Sequence, residues 1–113
     1  MVIFDPRKRD QGPTFDLERT RLAALVADME KMHSGTPPED LAGDAPILDH
    51  WLVGRRAIPC LVGLSTGHPR LTGEGRPIAT SDVWLMSNDR AWARTLSRWY
   101  RLGREAGSSN RES

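Results

Sequence analysis

The residues best equipped for chemistry lie late in the chain. Arg90, Arg94, Arg98, Arg101 and Arg104 are interleaved with Trp92, Trp99 and Tyr100. Arginine offers a planar fork that grips phosphates and carboxylates and stacks on aromatic rings. Tryptophan and tyrosine anchor protein interfaces, and aromatic rings also stack on nucleobases. The segment therefore reads as a surface for a macromolecule, a protein partner first and a nucleic acid as the alternative. Arg55 and Arg56, in a turn further upstream, are candidate additions to it. The competing structural reading is a solvated basic face over a tryptophan-rich core.

No catalytic constellation stands beside it. Ser65, Ser81, His50, His68, Asp49 and Asp82 supply the types that a hydrolytic triad needs, but no Gly-x-Ser-x-Gly elbow presents a nucleophile. Cys60, His50 and His68 match no zinc spacing, so neither metal nor cofactor is expected. Cys60 reads instead as a small buried hydrophobe. His68, between Gly67 and Pro69, reads as a turn-stabilising residue. Ser65, Thr66, Thr80 and Ser81 read as partners of local backbone at turns and strand ends. Gly73-Glu74-Gly75-Arg76 lacks both the phosphate-loop lysine and the dinucleotide spacing, and its glutamate repels phosphate, which leaves a hairpin loop. Asp82 and Asp89 fall where caps are expected. The expectation is a protein without enzymatic activity.

Composition bounds the rest. A chain of 113 residues supports one domain with one modest core. With 38% hydrophobic and 27% charged residues, it is neither a disordered nor a fibrous composition. The single Cys60 excludes an intrachain disulfide framework. The longest apolar run, Leu22 to Ala27, is far too short to span a bilayer. Met1-Val2-Ile3-Phe4 followed by Asp5-Pro6-Arg7-Lys8 lacks the apolar stretch of a secretion signal, so a cytoplasmic protein is expected. The formal net charge of +1 hides an asymmetry: residues 1–45 are net −3 and residues 46–113 net +4. Every basic residue of the second part is arginine, which reflects either the guanidinium fork or a GC-rich bacterial genome.

The elements that must position the arginines follow from periodicity and breakers. Val2-Ile3-Phe4 reads as a tail or short edge strand, stopped by Asp5-Pro6 and Gly12-Pro13. Phe15, Leu22, Leu25, Met29 and Met32 fall on one face of a helix over 15–33, capped by Thr14 or Asp16 and stopped at Gly35. That stripe is expected to be core. Thr36-Pro37-Pro38-Glu39 reads as the start of a second, short helix, with Thr36 as cap and Gly43 as stop. Residues 47–53 fit a helical turn or a strand. Ile58 to Leu64 reads as a buried strand, and Pro77 to Met86 as a second, joined through a Gly-rich loop into an antiparallel hairpin.

Residues 90–102 fit two periods. As a helix, Trp92, Leu96, Trp99 and Tyr100 share one side and Arg90, Arg94, Arg98 and Arg101 the other, with Ser87, Asn88 and Asp89 as cap. As a strand, Trp92, Leu96, Tyr100 and Leu102 share a face with Arg94 and Arg98. The cleaner segregation favours the helix. Thr95, Trp99 and Tyr100 also suit a third strand of the same sheet.

The stretch from Pro59 to Gly103 carries Pro59-Cys60-Leu61-Val62-Gly63, Gly67-His68-Pro69-Arg70-Leu71, Gly75-Arg76-Pro77-Ile78, Thr80-Ser81 and the run Trp92 to Gly103. In these residues the chain resembles a family of small, uncharacterised bacterial proteins, mostly alphaproteobacterial. The resemblance implies a compact domain of bacterial or phage origin. It lends no catalytic residue and no substrate.

The sequence thus predicts an α+β fold. An N-terminal helix (about 15–33) and a short second helix pack on a small antiparallel sheet (about 58–86), and residues 90–102 add a C-terminal helix or a third strand. Residues 1–13 form a tail or edge strand, 14–103 one domain, and 104–113 a disordered tail. The function expected is that of a small regulator, adaptor or inhibitor, of phage or mobile-element type. It binds a protein partner through the Arg/Trp/Tyr element, with no membrane contact and with homo-oligomerisation open.

Overall fold

A computed structural model describes residues 1–107. The order of elements is β1 (Val2–Phe4), α1 (Pro13–His33), α2 (Pro38–Ala42), β2 (Val62–Ser65), β3 (Arg76–Ala79), β4 (Val83–Ser87), β5 (Trp92–Thr95) and β6 (Trp99–Arg101). The fold is α+β. The chain separates into two compact units, Gln11–Arg56 and Met1–Asp10 with the chain from Ala57 onward.

The helical unit starts earlier than its apolar stripe. Pro13 takes the first turn of α1, where its missing N–H costs nothing, and Gly12 takes the cap position at φ 91° with no side-chain cap. Thr14 and Asp16 are therefore inside the helix and not its caps. The end follows the expected stop. Gly35 adopts φ 99°, its N–H reaches the Met32 carbonyl at 3.0 Å, and the Thr36 N–H reaches the Lys31 carbonyl at 3.0 Å. That pair of bonds satisfies the last carbonyls, as a left-handed glycine allows. In α2 the cap position belongs to Pro37 and the first turn to Pro38, so Thr36 caps nothing. Residues 47–53 form neither helix nor strand. The stripe expected to be core is not: α1 has no buried residue, and Leu25, Met29 and Met32 are more than half exposed.

The β unit holds the buried residues. Its larger sheet has the order β1-β4-β5-β6. β4, β5 and β6 are antiparallel neighbours, whereas β1 lies parallel to β4, with Val2 opposite Leu85 and Phe4 opposite Ser87. The sheet is mixed where an antiparallel one was expected. A parallel pair requires a long crossover, and the whole segment from Asp5 to Asp82 intervenes. Val2, Val83, Ala93, Ser87 and Thr95 are buried.

β2 and β3 form a separate antiparallel hairpin. The expected strand from Pro77 to Met86 is thus divided between two sheets. The division falls at Thr80-Ser81-Asp82, where the Thr80 hydroxyl accepts the Leu61 N–H at 2.9 Å and donates to the Ser81 carbonyl at 2.8 Å. Pro59 lies just before β2, and its carbonyl accepts the Val83 N–H at 2.9 Å, so this run bridges to the start of β4. The strand expected over Ile58–Leu64 is shorter and exposed, and Cys60 is exposed rather than buried.

Candidate functional site

Residues 90–102 are not a helix. They are the β5–β6 hairpin, one strand more than the strand alternative foresaw. Two side-chain-built turns explain why. Between β4 and β5, the buried Ser87 hydroxyl donates to Asp89 Oδ1 at 2.6 Å and accepts the Trp92 N–H at 2.9 Å and the Ala91 N–H at 3.1 Å. Arg90 completes this turn at φ 57°, a left-handed conformation uncommon for residues with a Cβ. Ser87, Asn88 and Asp89, read from sequence as a helix cap, therefore shape a hairpin turn. Between β5 and β6, the Thr95 Oγ1 accepts the Arg98 N–H at 3.1 Å and the Ser97 N–H at 3.2 Å, and donates to the Arg98 carbonyl at 3.1 Å. These hydroxyls offer the backbone an alternative to helix.

The hairpin rearranges the arginines and aromatics. Trp92 lies opposite Arg101, Ala93 opposite Tyr100, and Arg94 opposite Trp99. Side chains alternate between faces along a strand. One face therefore carries two cross-strand Arg–Trp pairs, Trp92 with Arg101 and Arg94 with Trp99. Phe4 continues this face, its ring edge-on to Trp99 with centroids 6.0 Å apart. Tyr100 lies on the opposite face. The expected separation of cations from aromatics is replaced by their mixing, because the turn at Leu96-Ser97 reverses the strand between Arg94 and Trp99. Trp92 and Trp99 are 42% and 52% exposed, which leaves ring surface free to meet a partner. Arg94 is half-buried, and its Nη1 atom is buried with no hydrogen-bond partner among the described residues.

The remaining predicted residues fall elsewhere. Arg98 sits in the β5–β6 turn near His68. Arg90 and Arg104 lie with Tyr100 along a groove of about 430 Å³ between β2 and residues 100–106. Arg90 Nη1 pairs with the Glu105 carboxylate. Arg104, Glu105 and Ala106, expected in a tail, line this groove; residues 108–113 of that tail lie outside the described residues. Arg55 and Arg56 belong to the helical unit and are exposed.

A family model described as a family of unknown function, DUF6634, matches residues 16–112. The chain belongs to the DUF6634 family. No curated protein and no solved structure matches it. The match spans β2 to β6 and leaves β1 outside it.

His68 has the turn role expected of it. Its Nδ1 accepts the N–H groups of Arg70 at 3.0 Å and Leu71 at 3.2 Å. The ring lies 6.3 Å from that of Tyr100. Partial burial, then the guanidinium charges of Arg98 and Arg70, hold the imidazole below its ordinary pKa. An acceptor Nδ1 on a neutral ring puts the proton on Nε2. Asp89 is likewise held below the usual carboxylate range, first by the Ser87 hydroxyl and then by the Ala91 N–H. Both groups shape turns. Among the described residues, no group of three or more His, Cys, Asp or Glu side chains could hold a metal ion, and no helix is long and apolar enough to cross a membrane.

Sequence reading missed Phe4 as part of the arginine–tryptophan face. Its only sequence signal is an apolar triplet at the start of the chain, and the parallel pairing with β4 brings it there.

Proposed function

We propose that this protein is a small non-catalytic regulator or adaptor of bacterial or phage origin that docks on a protein partner through the exposed face of β5 and β6. One observation carries the reading: Trp92–Arg101 and Arg94–Trp99 are cross-strand pairs on a single face, with both indoles exposed. Interfaces concentrate binding energy in tryptophan, tyrosine and arginine, surrounded by residues that exclude water. A formal net charge of +1 gives little drive toward a polyanion.

The test is affinity capture by the wild-type chain and by Trp99→Ala and Arg101→Glu, both at exposed positions. A partner held by the wild type and lost from both variants is expected. Recovery of the same proteins by all three would remove the face from consideration.

The same interleaving of exposed indoles and arginines also favours a second reading, a stacking platform for single-stranded nucleic acid. Anisotropy of labelled duplex DNA, single-stranded DNA and RNA decides it. Binding that falls steeply with salt and vanishes in Trp99→Ala would select the second reading over the first.

A further inference from the structure

The groove between β2 and residues 100–106 is framed by two open strand edges, and their hydrogen-bond phase can be worked out. The Thr80 N–H bonds to the Leu61 carbonyl, so Leu61 and Thr80 are a bonded pair. Bonded and non-bonded pairs alternate in an antiparallel ladder. Gly63 with Ile78 and Ser65 with Arg76 are then bonded, and Val62 with Ala79 and Leu64 with Pro77 are not. The position of Pro77, which has no N–H to give, agrees with this phase. The backbone N–H and C=O groups of Val62 and Leu64 therefore point to the open side of β2, whose one sheet neighbour among the described residues is β3.

The same argument applies to β6. The bonds from Thr95 N to Arg98 O and from Leu102 N to Ala91 O make those pairs bonded, and Ala93 with Tyr100 between them. The backbone groups of Trp99 and Arg101 thus point to the open side of β6. Two rows of unused ladder groups flank one groove, whose wall includes Ile78, Met86 and Leu102. Arg90 and Arg104 line it with Glu105, the one carboxylate of its lining among the described residues. Glu105 itself sits on Arg90, which shows that this cationic lining seats a carboxylate.

We propose that an acidic, extended segment of a partner protein adds as a strand along the open edge of β2 in this groove, its carboxylates meeting Arg104. Strand addition draws affinity from main-chain bonds and selectivity from alternate side chains. A groove of this volume lies within the range of ligand sites, about 300–1,000 Å³. The inference goes beyond the docking face described above and does not depend on it, since that face lies on the other side of β5 and β6.

The experiment titrates the full chain into fluorescein-labelled acetyl-Val-Glu-Val-Glu-Val-Glu amide and reads anisotropy. Two further versions carry N-methyl groups on the valines only or on the glutamates only. Saturable binding is expected, with one N-methylated version retained and the other lost, because only alternate N–H groups face the β2 edge. The Val-Lys counterpart and the Arg104→Glu chain are each expected to bind at least about tenfold more weakly, and Trp92→Ala to bind as the wild type does. Absence of saturable binding, binding of both or of neither N-methylated version, or equal affinity for the Val-Lys peptide would each overturn the proposal. Loss of peptide binding with partner capture intact would refute the groove alone. Retained peptide binding with no partner lost by Trp99→Ala would refute the face alone.

Discussion

The two sheets of the β unit have strands of similar length and are built on opposite principles. In β4–β5–β6 the turns are made by buried hydroxyls, Ser87 and Thr95, each satisfying backbone groups across its turn. In β2–β3 the connection is a longer loop, the Thr66 hydroxyl holds it through the Gly75 N–H at 3.1 Å, and Val62 and Leu64 remain exposed. The first sheet is tied down from within. The second has little buried area. Burial and satisfied polar groups fix a scaffold, while low burial and open ladder groups leave a surface for binding. The arginine–tryptophan face sits on the fixed sheet, and the groove opens along the exposed one.

The largest break in this contrast should come at Ala93, which is fully buried between β4 and β6. Ala93→Leu forces added volume into a filled site and is expected to destabilise by about 1–3 kcal/mol, read from the urea midpoint. The equivalent enlargement in β2, Val62→Leu, should stay within about 0.5 kcal/mol, because that side chain is in solvent. Equal effects would erase the distinction between the sheets.

Next come the turn hydroxyls. Ser87→Ala leaves the N–H groups of Trp92 and Ala91 without their acceptor and is expected to cost about 1–3 kcal/mol. Thr95→Val should cost a similar amount for the β5–β6 turn. Thr66→Val, at the exposed hairpin loop, should cost less than about 1 kcal/mol, since water replaces the lost bond. Urea unfolding of the three variants ranks them.

A smaller effect sharpens the picture in the stabilising direction. Arg90 holds φ 57°, so Arg90→Gly relieves backbone strain while losing an exposed ion pair with Glu105. Relief of order 1 kcal/mol exceeds the median value of an exposed pair, and a net gain of about 0.5 kcal/mol is expected in thermal unfolding.

The smallest expected effect is the pH dependence. The folded pKa values of His68 and Asp89 both lie below their unfolded values, so each group's contribution is complete above its ordinary pKa. The His68 contribution is lost as pH falls below 6.5 toward the folded value. The Asp89 contribution is lost as pH falls below the usual carboxylate range. The unfolding midpoint should therefore decline in two steps on acidification. His68→Asn should flatten the upper step, and Ser87→Ala the lower one, because Ser87 is the chief cause of the Asp89 shift. Unchanged profiles in both variants would separate these turns from the acid response.

By itself, the sequence determined the features that depend on one residue and its immediate neighbours. Gly35 ends α1 because only a residue without Cβ turns left-handed there at no cost. His68 between Gly67 and Pro69 makes its turn bonds, and the Gly-rich run joins β2 to β3. Val2-Ile3-Phe4 pairs as an edge strand, and the α+β class follows from the same local signals. The tertiary structure decided what periodicity alone leaves open. Residues 90–102 satisfy a helical wheel, yet the turns built by Ser87 and Thr95, together with the pairing of β5 to β4 and β6, hold them as strands. That choice put Trp92 and Trp99 on one face with Arg94 and Arg101, and moved Tyr100 to the other. The split of Pro77–Met86 between two sheets, the parallel placement of β1 and the exposure of the Leu25, Met29 and Met32 stripe are likewise tertiary. A hydrophobic pattern states which side chains would gain from burial, and only the assembled chain determines which of them meet a surface to bury against.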